Sequence, residues 1–554
     1  MTLFDHLLVV PIVLPMVLGA LMLLRQDRAQ QVVMGVLSSL GVLAVALTLL
    51  VRFAQDGEVM VYQISNWPAP YGIVLVADHL TALMLTLAAS LALAVLVYAS
   101  VRWDRAGVHF HPLFQFMLMG INGAFLTGDL FNLFVFFEIM LAASYGLVLH
   151  GSGVNRVKAA LHYIVINLVG AFMFLIGIAI IYGVMGTLNL ADLSAKVASV
   201  PQEDRALLEA GAAILAVAFL TKSAIWPLNF WLLPAYTAAT PPVAAIFAVL
   251  SKVGVYAVLR IWLLLSAGAP DFGDEWLLIG GLVTLAIGTV GLLASQELNR
   301  LASYSLIVSS GILLAAIGFE DPTVTASALF YLVGATLACA ALFLLVELIE
   351  RTRTFGANVL ALTLEAFQAE GAVNKTEVPE VDEVGVAIPM GMAFLGLAFV
   401  TCGLVLVGLP PLVGFLSKFA LLATVLELGQ VAGLGLAAWI LITLLLVSSL
   451  AGLLSLSRAG IRVFWAPAEL ASPRLHLAEA GPVAGLLLVC LALTLWAGPT
   501  LSYLGATARA LYQPEHYSQA VLSKPAVPSP STGGKPAGLP GLPGRGTVAT
   551  PGGS

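Results

Sequence analysis

Three lysines and one glutamate lie inside long apolar stretches of this sequence, where an ionisable side chain is costly and usually indicates a functional site. Glu138 follows Asp129 by nine residues in DLFNLFVFFEIMLAASYG. That spacing puts it roughly 13 Å along a helix, close to the midplane of a bilayer. Lys222 and Lys252 lie in TKSAIWPLNFWLLPAYTAATPPVAAIFAVLSKVGVYAVLR, and Lys418 lies in GLPPLVGFLSKFALL. Side chains of these two types at this depth are typical of proton transfer.

Prolines interrupt both of the lysine-bearing stretches. Proline removes a backbone donor and clashes with the preceding turn, so neither stretch is expected to form one continuous helix. A helix end at such a break leaves carbonyl groups unpaired, and their partial negative charge favours a nearby Lys222 or Lys418. Broken helices that carry ionisable residues at membrane depth are how many transporters form their ion sites.

Burial disfavours the charged forms of both glutamate and lysine, and a nearby opposite charge favours them. Forming or breaking a Glu138–Lys222 pair is therefore predicted to load or release a proton at Lys252. Two plainer interpretations stay open: a static Glu138–Lys222 ion pair that fixes packing, and a Lys222 that snorkels to the membrane surface. His162, in the sixth apolar stretch, is a secondary candidate whose place near a helix start is more typical of a structural role.

The composition is that of a membrane protein with many spans. Of the 554 residues, 60% are hydrophobic and only 10% are charged, whereas soluble proteins carry roughly 25% charged residues. The small net charge of −6 indicates no nucleic-acid partner. Cys339, Cys402 and Cys490 are too far apart in sequence for a metal-site or disulfide spacing. The sequence shows no cofactor motif or nucleotide-binding loop, so we expect no bound cofactor or metal and no redox or ATP chemistry.

Runs of about 20 apolar residues, long enough to span a bilayer, recur about fourteen times. They predict an all-α polytopic membrane protein with spans near 5–24, 31–52, 74–101, 111–127, 130–150, 159–184, 206–225, 240–264, 276–295, 300–318, 323–348, 385–408, 411–456 and 478–503. The run 411–456 is expected to hold a broken helix tip followed by a full span. Residues 350–384 are predicted to form an acidic loop. Residues 514–554, rich in Pro, Gly, Ser and Ala, are expected to be disordered.

Lysine and arginine are concentrated in the loops that follow odd-numbered spans. Such loops face the cytoplasm in most membrane proteins. The pattern therefore predicts a multi-pass protein of the cell (inner) membrane with both termini outside, which requires an even number of spans.

Four segments of the sequence resemble the antiporter-like subunits that Mrp-type sodium/proton antiporters share with respiratory complex I and membrane-bound hydrogenases. They are FNLFVFFEIM, the stretch from Thr221 to Arg260, ELNRLASYSLIVSSGILLAAIG and GLPPLVGFLSKF, and the resemblance covers most of residues 70–465. The form AYTAATPPVAAIFAVLSKVGVYAVLR, with Tyr236 where complex I subunits usually carry histidine, is most similar to the D subunit of Mrp (Mnh/Pha) antiporters.

The resemblance implies a fold of fourteen helices with two inverted five-helix repeats, each containing a broken helix. It implies the divisions 1–110 (N-terminal helices), 111–264 (first repeat), 276–456 (second repeat, with the acidic loop 350–384), 457–513 (C-terminal helix) and 514–554 (tail). By the same resemblance, Glu138 and Lys222 match the glutamate–lysine pair of the family and Lys252 matches its central relay lysine. Lys418 matches the lysine on the second broken helix.

The eleventh span departs from the family. Many relatives carry histidine or lysine there, whereas YLVGATLACAALF offers Gly334, Ala338 and Cys339. A connection from Lys252 to Lys418 is then expected to depend on water and on hydroxyl groups, namely those of Tyr304, Ser305, Ser309, Ser310 and Thr336.

Three functions follow as alternatives. The first is a subunit of a multi-subunit monovalent cation (Na⁺)/proton antiporter, which carries a proton path through buried Glu and Lys and has other subunits, protons, Na⁺ and the lipid bilayer as partners. The second is a proton-pumping subunit of a complex I-like or hydrogenase redox complex, and the third is a transport-inactive membrane scaffold. Asn229 and Tyr236, in place of histidines, favour the first, and the retained charged residues disfavour the third.

Overall fold

The protein is almost entirely helical in the computed structural model, which describes residues 5–25, 27–266, 274–369, 389–432, 435–464 and 475–525. Its α-helices, numbered in chain order, are α1 (Val10–Leu24), α2 (Arg28–Asp56), α3 (His79–Arg102), α4 (Phe110–Leu126), α5 (Leu130–Val148), α6 (Val154–Met185), α7 (Leu190–Lys196), α8 (Gln202–Lys222), α9 (Leu232–Ala238), α10 (Pro241–Ser266), α11 (Asp274–Ala294), α12 (Leu298–Ile317), α13 (Pro322–Ala369), α14 (Met390–Val407), α15 (Val413–Ala432), α16 (Leu436–Phe464), α17 (Leu477–Leu495), α18 (Ala497–Leu511) and α19 (Pro514–Leu522). Helices satisfy their own backbone hydrogen bonds, which a bilayer interior demands.

Each of the fourteen predicted spans contains a helix. Within the described ranges, eleven helices are long and apolar enough to cross a membrane. The remaining three predicted spans correspond to α1, which has 15 residues, to α4, which has 17, and to α8, which begins with the acidic Glu203 and Asp204. The predicted class, an all-α polytopic membrane protein, is confirmed.

Several boundaries differ from the prediction. The run 411–456 contains two helices, because α15 begins at Val413 and ends at Ala432 before α16 begins at Leu436. Helix α13 continues to Ala369, through residues that the sequence analysis assigned to the acidic loop 350–384. A polar sequence can continue a helix once it has left the bilayer, and 48 residues extend over roughly 72 Å. Residues 370–384 lie outside the described residues.

The tail begins later than predicted. Residues 514–522, which the sequence analysis placed in a disordered tail, form α19. Tyr517 and Val521 lie four residues apart on its buried side, and α19 packs against α7. The proline- and glycine-rich composition that indicated disorder belongs mainly to residues 526–554, which lie outside the described residues.

A small sheet and both ends of the described chain lie on one face of the protein, which we call the termini face. Strands β1 (Met60–Gln63) and β2 (Val74–Ala77), which the sequence analysis did not predict, pair antiparallel between α2 and α3. The short 3₁₀ turn Asp5–Leu8 contacts both strands. At the other end of the chain, the Lys524 carbonyl accepts a hydrogen bond of 2.7 Å from Gln63.

Helices α10, α12 and α13 form the centre of the protein. Nearly every described side chain in Pro241–Leu265 and Pro322–Arg351 is buried. By contrast, α2, α6, α14 and α16 expose broad apolar faces, as expected of helices that face lipid or other subunits. The helix that carries Lys252 therefore lies away from lipid.

Candidate functional site

Lys252 lies at the middle of α10 and is fully buried. Its ammonium nitrogen lies 3.0 Å from the hydroxyl oxygen of Ser309 and 3.3 Å from that of Ser310, both on α12. Two residues of α13 also lie around Lys252. Cys339 interacts with it electrostatically, and the Tyr331 hydroxyl faces Ser309. Hydroxyl groups accept from an ammonium and donate to a neutral amine, so the site can hold Lys252 in either protonation state.

Lys222 is the last residue of α8, directly before the first helix break. Its nitrogen is buried, and among the described residues no atom forms a hydrogen bond with it. It lies 5.1 Å from the centre of the Phe137 ring, within the range of a cation–π contact. The interpretation that Lys222 snorkels to the membrane surface is therefore wrong, because the nitrogen is enclosed.

The carbonyl groups at the end of α8, beside Lys222, already accept hydrogen bonds from the loop that follows. The Phe219 carbonyl accepts from the backbone of Ser223, and the Leu220 carbonyl accepts from the backbone of Ile225. The Thr221 carbonyl accepts from the indole of Trp231 at 3.1 Å. Lys222 therefore forms no hydrogen bond with the described carbonyl groups at this helix end, and the favourable effect of their partial negative charge stays a prediction for this lysine.

Glu138 lies on α5 beside Phe137, close enough to Lys222 to interact with it electrostatically. One of its carboxylate oxygens is buried and, within the described part of the chain, has no hydrogen-bond partner. The side chain is only partly buried, and it borders the exposed Val135 and Ala142 on the outer side of α5. The structure thus brings the predicted pair together without a direct hydrogen bond between the two groups.

Gly254 joins the first break to the helix of Lys252. A Cβ atom at Gly254 would lie 2.6 Å from the backbone nitrogen of Ser223 and 2.8 Å from the carbonyl carbon of Lys222, closer than real Cβ contacts. Only glycine lets α10 approach the end of α8 so closely. The two lysines are therefore held on backbones in direct contact.

Lys418 lies on α15, after the second break between α14 and α15. Its nitrogen lies 2.9 Å from the Val407 carbonyl and 3.3 Å from the Leu406 carbonyl, at the end of α14, and 2.9 Å from the Ser449 hydroxyl on α16. Gly408 makes this possible, because its positive φ of 82° ends α14 and its missing side chain leaves room for the Lys418 stem. The predicted stabilisation by a broken helix end is confirmed for this lysine.

The placement of Gly334 and of the hydroxyl groups on α13 bears on the predicted connection from Lys252 to Lys418. Gly334 lies against Val413 at the start of α15, where a Cβ would be 3.2 Å from the valine side chain. The Thr336 hydroxyl is buried but donates to the Leu332 carbonyl of its own helix at 2.6 Å. The hydroxyl group that α13 presents to Ser309 belongs to Tyr331, which the sequence analysis did not single out. The sequence feature that could have indicated this residue is a tyrosine about one helical turn before Gly334.

Two secondary candidates lie away from this site. His162 is exposed on α6, and its ring contacts the Lys158 carbonyl one turn earlier at 3.1 Å. Tyr304 packs its ring over Gly291 of α11, on a different side of α12 from Ser309. The structure therefore does not bring His162 and Tyr304 to Lys252, because both side chains point elsewhere.

The described residues contain no group of three or more His, Cys, Asp or Glu side chains placed to hold a metal ion. They do contain four ionisable side chains within the predicted spans, namely those of Glu138, which is partly buried, and of Lys222, Lys252 and Lys418, which are buried. All four lie between residues 127 and 444, which match the family model described as NADH:quinone oxidoreductase/Mrp antiporter, TM. The chain belongs to this family.

Similar proteins place the chain near the D subunits within the NADH:quinone oxidoreductase/Mrp antiporter family. It is 52% identical over 535 residues to the D subunit of a probable K⁺/H⁺ antiporter of Rhizobium meliloti (strain 1021), covering 94% of this chain and 98% of that protein. It is 34% identical over 423 residues to the D subunit of the Na⁺/H⁺ antiporter of Alkalihalophilus pseudofirmus, covering 76% and 80%.

A solved structure supports the same assignment. The fold matches a chain of the Mrp complex from Dietzia sp. DQ12-45-1b with a TM-score of 0.80 and 27% identity, covering 94% of this chain and 100% of that one. The resemblance to the D subunit of Mrp antiporters within this family is therefore confirmed, as is membership of a multi-subunit membrane assembly.

Proposed function

We propose that this chain is the proton-carrying D subunit of a multi-subunit monovalent cation/proton antiporter. The observation that carries the proposal is the position of Lys252, an amine fully buried at the centre of the protein and surrounded by the hydroxyl groups of Ser309 and Ser310. A lysine there is costly, and its hydroxyl partners offer no opposite charge in return. Those hydroxyl neighbours allow it to gain and lose a proton.

The proton path proceeds from Glu138 to Lys222, Lys252 and Lys418. The open Glu138–Lys222 pair supports its first step, because among the described residues no hydrogen-bonding partner locks either the buried Glu138 oxygen or the Lys222 nitrogen. A charge on Glu138 favours a proton on Lys222, and the direct contact of the two helices at Gly254 joins this step to Lys252. Tyr331 and water continue the path toward Lys418, whose nitrogen is held by the end of α14 and by Ser449.

The resemblance to Mrp-type sodium/proton antiporters favours Na⁺ as the transported cation, and the names of the relatives cited above include both Na⁺ and K⁺. We therefore propose exchange of a monovalent cation of this class, with Na⁺ and K⁺ compared side by side in the same assay. Partial exposure of Glu138 on the outer side of α5 supports a covering subunit, since an uncovered carboxylate at this depth is costly.

The proposal includes two structural repeats and an orientation of the chain in the membrane. The two repeats, 111–264 and 276–456, each contain one break beside a lysine, as expected of related halves. Placing the termini face outside leaves the basic loops in the cytoplasm of a cell (inner) membrane protein. Accessibility of a tag attached at the termini face tests this orientation.

A redox-driven proton pump is the competing function, and Tyr236 argues against it. Its hydroxyl donates to the Phe247 carbonyl at 2.9 Å, inside a cluster with Trp231 and Phe343. The position that carries histidine in complex I subunits is thus occupied by a packing residue. A scaffold without transport would have no need to retain Lys252 at such a cost.

The test is cation-dependent proton flux in vesicles that contain the whole assembly. We expect Lys252→Ala to abolish exchange with both Na⁺ and K⁺ while the complex still assembles. The matched control is Lys196→Ala, which removes a lysine from a surface pair with Asp192 and leaves the proposed proton path intact. Exchange at the wild-type rate in an assembled Lys252→Ala complex would move the proton path out of this chain.

A further inference from the structure

A cavity of about 690 Å³, lined in part by charged side chains, opens on the termini face. Its rim is formed by the end of α2 and the residues that follow it, including Glu58, and by the C-terminal segment, including His516 and Lys524. Its inner end is formed by Asp78, His79 and Arg260. Acidic, basic and imidazole groups together give this cavity walls that can hydrogen-bond water.

A buried ion pair lies at the inner end of this cavity. The Arg260 guanidinium makes two hydrogen bonds to the Asp78 carboxylate, at 2.6 and 2.8 Å. Asp78 is the residue before α3, and it also accepts from the backbone of Thr81 at 2.9 Å. Arg260 packs between the rings of Tyr256, at 5.6 Å, and Tyr517, at 5.5 Å. The helix α19 therefore forms one wall of the pair's enclosure.

One side of α10 leads from this pair to Lys252. Lys252, Tyr256, Arg260 and Leu264 follow one another at intervals of four residues, so they lie along one side of the helix, roughly 6 Å apart for each step. Leu264 and Arg260 line the cavity, whereas Tyr256 is buried behind the ion pair and donates to the Phe125 carbonyl at 2.8 Å. The side chains thus pass from the cavity to the central lysine in order.

We propose that this cavity is the water-filled mouth through which Lys252 exchanges protons with the termini face, with the Tyr256 hydroxyl as the link and the Asp78–Arg260 pair as the gate. The proposal rests on the proposed function, because it assumes that Lys252 carries protons. The pair separates water in the cavity from Tyr256. Opening it lets water reach the phenol, which passes a proton by donating one and accepting another.

A purely structural role is the competing explanation. The pair caps α3, joins it to α10 and holds α19 in place, which would be sufficient reason for its geometry. That role predicts loss of assembly when the pair is weakened. It predicts neither a proton leak nor access of water-soluble reagents to α10.

The first test is Tyr256→Phe, which keeps the ring under Arg260 and removes the hydroxyl. We expect cation-dependent proton flux of the whole complex to fall about tenfold or more, as when a proton-transferring group is lost. The matched control is Tyr503→Phe, which loses a hydroxyl that donates to the His79 carbonyl at the same distance of 2.8 Å and lies outside the row. Wild-type flux in an assembled Tyr256→Phe complex overturns the proposal.

The second test measures whether a water-soluble reagent reaches α10 from the termini face. It does not depend on assembly of the Tyr256→Phe variant. A membrane-impermeant thiol reagent, added at the termini face, should label Leu264→Cys above the background of the wild-type complex. The control Ala216→Cys lies in an apolar cavity between α8, α10 and α11 and should stay unlabelled. An unlabelled Leu264→Cys in the assembled complex overturns the proposal.

The third test addresses the gate. Asp78→Asn keeps an oxygen for the Thr81 backbone but removes the charge that holds Arg260. We expect a proton leak that needs no cation, and an assembled variant without leak overturns the assignment of the pair as gate. The flux of Lys252→Ala distinguishes this inference from the proposed function. If the proposed function is wrong, Lys252→Ala retains exchange. If only this inference is wrong, Lys252→Ala is still inactive.

Discussion

The nitrogen of Lys252 lies 3.0 Å from the hydroxyl oxygen of Ser309, a contact between the middles of α10 and α12. The partner of this buried lysine is thus a hydroxyl group and not a carboxylate. A carboxylate would hold the proton on the amine by its charge. A hydroxyl group solvates the amine in both of its states, so Lys252 is stabilised without being fixed in one of them.

Removing the hydroxyl groups around Lys252 should slow transport more than it affects folding. We expect the double substitution Ser309→Ala and Ser310→Ala to lower cation-dependent proton flux about tenfold or more, and each single substitution to have a smaller effect because the other hydroxyl remains. The control is Ser303→Ala on the same helix, whose hydroxyl donates to the Asn299 carbonyl at 2.8 Å. Equal flux in the double variant and in Ser303→Ala would refute the role of these hydroxyls.

Replacement by methionine, which has a similar shape and no charge, should affect the stability of the protein differently at Lys222 and at Lys418. Lys222→Met removes a buried amine that no described residue hydrogen-bonds, so we expect thermal stability to be unchanged or raised. Lys418→Met leaves the Leu406 and Val407 carbonyls and the Ser449 hydroxyl without their donor, at a cost of about 1–3 kcal/mol.

Both methionine variants should lose cation-dependent proton flux. The measurement is the melting temperature of the purified complex, set beside flux in vesicles. A lower melting temperature for Lys222→Met than for Lys418→Met would contradict the different environments that the structure gives the two amines.

Tyr331 should be needed for passage through α13. Tyr331→Phe keeps the buried ring and removes the hydroxyl that faces Ser309, so we expect slower proton flux with normal assembly. Tyr236→Phe is the control, since the Tyr236 hydroxyl donates to a backbone carbonyl within a packing cluster. If the control loses as much flux as Tyr331→Phe, the effect of Tyr331 is one of packing.

A methyl group at Gly254 should disturb the first break. Gly254→Ala would place Cβ 2.6 Å from the Ser223 backbone nitrogen, and such overpacking costs about 1–3 kcal/mol. Gly183→Ala, on α6, is the matched control because nothing described lies within 4 Å of its Cβ position. We expect a lower melting temperature and reduced flux only for Gly254→Ala, and equal behaviour of the two variants would contradict the close contact.

The class of fold and the four charged residues of the site could be predicted from the sequence. Apolar runs predict helices because their length and composition are properties of the local chain. Lys222 and Lys252 stand out because an amine in an apolar stretch is rare. The breaks beside Lys222 and Lys418 follow from proline alone.

The partners of those residues could not be predicted in the same way. Which carbonyls remain free at a helix end depends on the loop that follows, and the first break uses its own carbonyls where the second leaves two for Lys418. The orientation of Tyr304 and of Tyr331 depends on the rotation of α12 and α13, which single-helix periodicity does not fix when nearly all sides are buried. β1 and α19 are short and give only weak signals, and β2 is an apolar segment at the start of the run 74–101, where it is not distinguished from the helix that follows.

The contact at Gly254 places one backbone directly on another, with no side chain between them to yield. Close-packed interiors transmit displacement, so a shift of the broken end of α8 must be followed by α10, two residues from Lys252. The backbones that carry the two lysines are therefore linked mechanically. We therefore expect that a displacement of the Lys222 backbone is transmitted to α10 beside Lys252 through this contact.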